Sequence, residues 1–232
     1  MSWNHLNLKD VVIDPSFSKA RPKSTCGWFS TWKIQSITGL EYLNTSDVTD
    51  MHFMFAYCNL TSLDVSHFDT SNVTNMHQMF YNCENLRTLD VSNFNTENVI
   101  HMGSMFERCK NLETLDVSNF NTANVEIMES MFAGCGKLTF IDLQNFNTSK
   151  VTNIFAMFLG CKQLTVLDLS FFDTHRIEYF QRAFFYCDNL KTIYVGDNWT
   201  TENARNTNDG STEDLFCGCV KLVGELTSAR RL

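Results

Sequence analysis

The sequence predicts a solenoid of the α/β class, in which each coil contributes one short strand and one short helix and both ends are capped. Three observations lead there. The word Phe-x-x-Cys returns at Phe55–Cys58, Phe80–Cys83, Phe106–Cys109, Phe132–Cys135, Phe158–Cys161, Phe184–Cys187 and Phe216–Cys219, with cysteine steps of 25, 26, 26, 26, 26 and 32. Other columns keep the same step: Leu60, Leu86, Leu112, Leu138, Leu164 and Leu190; Val65, Val91, Val117, Leu143, Leu169 and Val195; Phe68, Phe94, Phe120, Phe146 and Phe172. Self-similarity at one fixed period marks stacked supersecondary units. Within a unit, finally, the apolar spacing changes. Leu89 and Val91 alternate with Thr88, Asp90 and Ser92, whereas Val73, Met76, Phe80 and Cys83 recur at 3, 4 and 3. The first pattern is that of a half-buried strand, the second that of one face of a helix.

Taken in chain order, residues 1–36 break the period and form an N-terminal cap. They hold Trp3, Trp28 and Trp32, which with Phe17 and Phe29 can cover the first coil. Residues 37–195 are the solenoid. Each unit opens as Leu86 to Ser92 does, Leu-x-x-Leu-Asp-Val-Ser, and turns at an Asx-Thr pair such as Asn95-Thr96 or Asn121-Thr122. Asx and Thr side chains bond nearby backbone and suit a tight corner. The helix follows, with Thr74 or Asn75 able to cap it in the second unit. Neither element can bury its apolar face alone, so the units stack and like residues meet like. Strands would stack ~4.8 Å apart and helices are ~10 Å wide. The stack is therefore expected to curve with its strands on the concave face, which is leucine-rich-repeat architecture. Residues 196–232 read as a closing coil and tail, with a polar insertion around Asn203–Thr212 and then Lys221-Leu222-Val223-Gly224.

Composition narrows the function. Of 232 residues 44% are hydrophobic, enough for a continuous core. Eighteen basic against 26 acidic residues give a net charge of −8, which argues against a nucleic-acid partner. No apolar run is long enough to span a membrane. The opening Met1-Ser2-Trp3-Asn4-His5 does not have the pattern of a signal peptide. Seven of nine cysteines form the repeat column and read as buried reduced thiols, because stacked coils hold neighbouring Cβ atoms too far apart for a disulfide.

The unit Leu-x-x-Leu-Asp-Val-Ser-Asn-Phe-Asn-Thr-x-Asn-Val-x-x-Met-x-x-Met-Phe-x-x-Cys resembles the repeat of the BspA-like leucine-rich-repeat surface proteins of bacteria. The segments Val11–Phe17 and Gly39–Thr45 resemble that family's opening, and Val195–Thr200 its close. The likeness runs over roughly residues 11–224. It implies a secreted or wall-attached protein that binds host proteins or other cells and adheres to extracellular-matrix proteins, with no catalytic residues in the motif. The chain departs from the family in carrying no signal-peptide pattern and no wall- or lipid-anchor motif, so a cytoplasmic location is the alternative. It also lacks the usual asparagine of the common leucine-rich repeat, whose work falls to the Asx-Thr pair.

No catalytic constellation, cofactor motif or metal-ligand spacing stands out. His52 and His77 occupy equivalent places in adjacent coils, but Gly103 and Glu129 follow them and leave no full metal site. The ladder Asp64, Asp90, Asp116, Asp142 and Asp168 puts one carboxylate per coil on the strand face. It suits either a cation or basic partner, or a solvated face whose carboxylates bond flanking Ser and Thr. A local departure is more telling. The outward column Ser62, Thr88, Thr114 becomes Phe140 and Val166 before returning to Thr192; Phe171 replaces residues like Asn119, and Tyr194 replaces the Asp. Such an apolar patch marks a partner site if exposed, the other reading being that these side chains pack against the C-terminal cap. The expected function is thus a noncatalytic binding or adhesion scaffold for a protein or glycan, engaged through Phe140, Val166, Phe171, Tyr194, Asp90, Asp116, Asp142 and Asp168, with an intracellular interaction module or host-directed effector as the alternative.

Overall fold

The computed structural model describes residues 9–205 and 214–222. Three pairs of parallel strands lie one coil apart: β1 (Asp10–Val12) with β2 (Ser36–Thr38), β3 (Ser62–Leu63) with β4 (Thr88–Leu89), and β5 (Val166–Leu169) with β6 (Thr192–Val195). The register sets Leu63 against Leu89 and Leu167 against Ile193, so the sequence columns are physical columns. Along β5 the residues alternate exposed and buried, with Leu167 and Leu169 inside. The chain is a leucine-rich-repeat solenoid.

The opposite side of the coil differs from expectation. No α-helix occurs among the described residues, and the segments with helical spacing are successive tight turns. In the second coil Met79 N–H donates to Met76 O and Cys83 N–H to Phe80 O, each closing a four-residue turn. The third residue of each is left-handed, Gln78 at φ 56° and Asn82 at φ 58°, as a type II turn requires. Alternate donors leave the coil altogether. Met76, Gln78, Phe80 and Asn82 donate to His101, Gly103, Met105 and Glu107 of the next coil at 2.7–2.9 Å. A helix would turn those N–H groups back on its own chain; here they join neighbouring coils. Two turns in a row still carry Met76, Phe80 and Cys83 inward, which is why the spacing reads as helical.

This side holds the longest uninterrupted pairing in the molecule, through parallel bridges Ser24–Asp50–Asn75–His101–Ile127–Asn153–Tyr179. It is therefore spaced like a strand ladder, with no wide helical layer. The width difference that would bend the stack around a concave strand face is absent. The strand face is paired only in pieces, lapsing between β4 and β5, although Glu113 N–H still donates to Arg87 O at 3.3 Å.

The core is a set of continuous stacks. Phe29, Phe55, Phe80, Phe106, Phe132, Phe158, Phe184 and Phe216 succeed one another with centroids 5.3–5.9 Å apart and planes within 18°. Phe68, Phe94, Phe120, Phe146 and Phe172 form a second buried column, and Val48 to Ile177 a third. Each buried aromatic removes enough apolar surface to stabilise by roughly 2–3 kcal/mol. All nine cysteines are unpaired. Ladder thiols donate to the phenylalanine carbonyl of the preceding coil, Cys109 to Phe80 O at 3.3 Å and Cys135 to Phe106 O at 3.2 Å. Burial holds the Cys109 and Cys161 thiols well above the usual range and pushes Cys135 up to about 12. One member departs from its column. Val195 was expected inside, yet it is 43% exposed because it ends β6, an edge strand.

Buried threonines staple the coils. Thr122 Oγ1 donates to Asn147 O at 3.0 Å and accepts from Asn147 N–H at 2.7 Å; Thr45, Thr70, Thr96 and Thr148 repeat the reciprocal pair. At the N-terminal end Trp28 packs edge-on against Phe17 and Phe29, whereas Trp32 stands exposed. Trp3, most of the polar insertion, Val223-Gly224 and the tail lie outside the described residues.

Candidate functional site

The aspartate ladder is built by local turns. Asp64, Asp90, Asp116, Asp142 and Asp168 each accept, at Oδ1, the backbone N–H two residues on, at 2.9–3.0 Å. The side chain thus closes the corner where the strand ends. Bonds from Ser66, Ser92 and Ser118 hold the carboxyls of Asp64, Asp90 and Asp116 below the usual range, so they stay ionised; the charges of Asp116 and Asp64 oppose this slightly at Asp90. The corner function and the outward charge coexist in one side chain, since only Oδ1 faces the turn.

The four apolar departures stand in the solvent. Phe140 is 68% exposed, Val166 41%, and Phe171 and Tyr194 57% each. Parallel pairing places Asp168 beside Tyr194 and Val166 beside Thr192. Phe171 also replaces a structural group. In earlier coils Asn93 Nδ2 donates to Val65 O and Phe68 O, and Asn119 Nδ2 to Val91, Ser92 and Phe94 carbonyls. A phenyl ring makes none of these bonds, and here it projects outward instead.

The charged and apolar groups meet in one groove. It encloses about 780 Å³ over four coils and is lined by Asp64, Asp90, Glu113, Asp116 and Asp142, with Phe140 at one end. Val166, Phe171, Tyr194 and Asp168 continue the face beyond it. Glu113 was not singled out from the sequence, because its column runs Arg87, Glu113, Thr139, Thr165, Lys191 without pattern.

On the turn side, His52 and His77 do lie side by side, with ring centroids 5.2 Å apart and planes tilted by 41°, and Cys26 Sγ lies 3.9 Å from His52 Nδ1. Gly103 leaves a gap into which His77 Nδ1 and Glu129 Oε1 both lean, each 2.9 Å from where a Cβ would stand. Burial, then the neighbouring His52 and His101, lowers the His77 pKa; burial raises that of Glu129. Among the described residues no group of three His, Cys, Asp or Glu is placed to hold a metal ion, and no helix is long and apolar enough to cross a membrane.

A family model described as "Mycoplasma protein of unknown function, DUF285" matches residues 24–139 and 112–213. No curated protein matches the chain. Among solved structures it is similar to a leucine-rich repeat protein from Bacteroides ovatus, at 15% identity and a TM-score of 0.44 over 93% of this chain and 66% of that one. It is also similar to a leucine rich cell surface protein from Faecalibacterium prausnitzii, at 16% identity and 0.41 over 93% of this chain and 59% of the other. A leucine-rich repeat protein from Eubacterium ventriosum is 15% identical, with a TM-score of 0.31 over 96% and 80%. The chain spans less than two thirds of the length of the first two.

Proposed function

This chain belongs to the DUF285 family, and from that premise we propose that it is a noncatalytic adhesion scaffold which recognises a protein or glycan through its strand face. The observation that carries the reading is the local break in an otherwise strict repeat. Phe140, Val166, Phe171 and Tyr194 replace polar residues and stay exposed, where the same columns elsewhere are Ser, Thr, His, Asn and Asp. A core requirement would not leave four large apolar side chains in water. The Asp90, Asp116, Asp142 and Asp168 carboxylates supply the polar rim that such patches carry. A stack cross-linked by backbone bonds on its turn side is rigid before binding, so little ordering entropy is lost on contact.

The test reverts the departures to the repeat: Phe140→Thr, Val166→Thr, Phe171→Asn and Tyr194→Asp together. Immobilised extracellular-matrix proteins and an oligosaccharide array are probed with both chains. The unaltered chain should bind at least one species and the reverted chain should lose it. Equal binding by both, or none by the unaltered chain, would overturn the reading. A second reading places the same face inside a cell, and a column of seven cysteines is the sequence feature that suits a reducing compartment. Protease treatment of intact source cells separates the two: loss of the protein puts the face outside, protection until lysis puts it inside.

A further inference from the structure

We propose that the groove from Asp64 to Asp142 holds an extended cationic segment of a partner protein, with an apolar side chain of that segment seated against Phe140 and Val166. This rests on the strand-face reading and names the chemistry of what binds there.

Charge is the first argument. Five carboxylates line the groove and none of its lining residues is Lys, Arg or His. Elsewhere on the surface several acids are matched, Asp47 by Lys23, Glu84 by Lys110, Glu178 by Arg205 and Asp188 by Lys162. Others such as Glu97 and Asp168 are in no ion pair among the described residues, Glu97 standing apart from a run of like charges. Among the described residues Asp64, Asp90, Glu113, Asp116 and Asp142 appear in none of the ion pairs. The complementary surface is therefore basic, and an anionic glycan or nucleic acid is disfavoured.

Shape is the second. Four coils at strand spacing give a groove ~14 Å long, the reach of four or five residues of extended chain. The groove runs from the paired strands β3 and β4 into the two coils after them, where strand pairing lapses. Polarity is the third. Carboxylates run the length of the groove, Asp142 included, while Phe140 adds an apolar side chain at one end alone, and that fixes the direction of a segment carrying Lys or Arg before an aromatic or aliphatic residue.

The probe is a fluorescein-labelled hexapeptide of three lysines alternating with threonines and ending in phenylalanine, read by fluorescence anisotropy. Its controls are a peptide with glutamate for lysine and one with alanine for the final phenylalanine. Asp90→Asn with Asp116→Asn removes charge while keeping the corners, because Asn44, Asn95 and Asn121 already make the same turn bond in this chain. Phe140→Thr restores the repeat residue. The lysine peptide should bind and the glutamate peptide should not. Each variant should weaken binding about tenfold, and salt raised from ~50 to ~300 mM should weaken it further. Equal affinity for all three peptides, or unchanged affinity in both variants, overturns the proposal. So does at least tenfold tighter binding by a chain ended after Leu222, which would make this chain's own tail the occupant. If the peptide fails while the fourfold reversion still abolishes array binding, the cationic partner falls and the strand-face reading stands.

Discussion

Thr122 offers the sharpest test of how the coils are held together. It is fully buried, and its hydroxyl both donates to Asn147 O at 3.0 Å and accepts from Asn147 N–H at 2.7 Å. Thr122→Val keeps the shape and deletes the hydroxyl. The N–H and C=O of Asn147 then lose their side-chain partner in a part-buried pair of bonds, at about 1–3 kcal/mol each. The added methyl returns about 0.8 kcal/mol. The net loss is about 1–5 kcal/mol, and a chain of this size loses about 2–4 °C in Tm for each of those, so a fall on the order of 10 °C is expected. Thr122→Ser retains the hydroxyl and removes one methyl, at about 1 kcal/mol. Urea unfolding followed by tryptophan fluorescence and by circular dichroism measures both variants, two probes being needed because solenoids can unfold in parts. The order is diagnostic. A valine variant as stable as the unaltered chain, or a serine variant worse than valine, would show that the reciprocal bond does not hold the stack.

Phe120→Ala should destabilise by about 3–5 kcal/mol, since the ring is buried in the middle of its column; a melt within a degree or two of the original would remove that column from the core. With a thiol-reactive dye at pH about 8, Cys217 and Cys26 should react in the folded protein, Cys26 more slowly because burial and Asp50 raise its pKa. Cys109, Cys135 and Cys161 should stay silent until denaturant exposes all nine, and rapid labelling of any of them would contradict a packed ladder. His77 adds an acid-sensitive contribution. Its pKa is lowered from 6.5 in the fold, so the unfolded chain takes up a proton that the folded chain resists. That contribution is full above 6.5 and is lost as pH falls through the folded pKa; His77→Asn should flatten the fall in urea midpoint between pH about 7.5 and about 5.5. An unchanged slope would acquit His77.

The columns were legible because stacking makes each residue meet its own equivalent, so the core chemistry repeats in the sequence. Val48, Met76, Phe120 and Leu112 all lie where the period places them. The helix was not legible, because apolar spacing of 3, 4 and 3 suits both a helix and two successive turns. What decides is where the N–H groups of Gln78 and Asn82 point, and that depends on the neighbouring coil. The Asx-Thr corner shows the same limit. Asn95 bonds its own turn at Glu97 N, as its type suggests, while Thr96 reaches across to Asn121. Phe140 and Phe171 stood out as breaks in a pattern, whereas Glu113 stands in a column with no pattern to break.

The turn-side ladder also bears on how such a protein can change. A 26-residue unit brings as many donors on one flank as acceptors on the other, so copying or deleting a whole unit leaves its neighbours satisfied. The bridge from Asp50 to Asn75 spans 25 residues against 26 elsewhere, and the ladder passes through it unbroken. Inherited variation in this chain is thus free to run in steps of one coil, each adding or removing one carboxylate from the groove. Under the proposed occupancy, copy number would work as a ruler, setting the length of segment the groove accommodates without altering any contact already made.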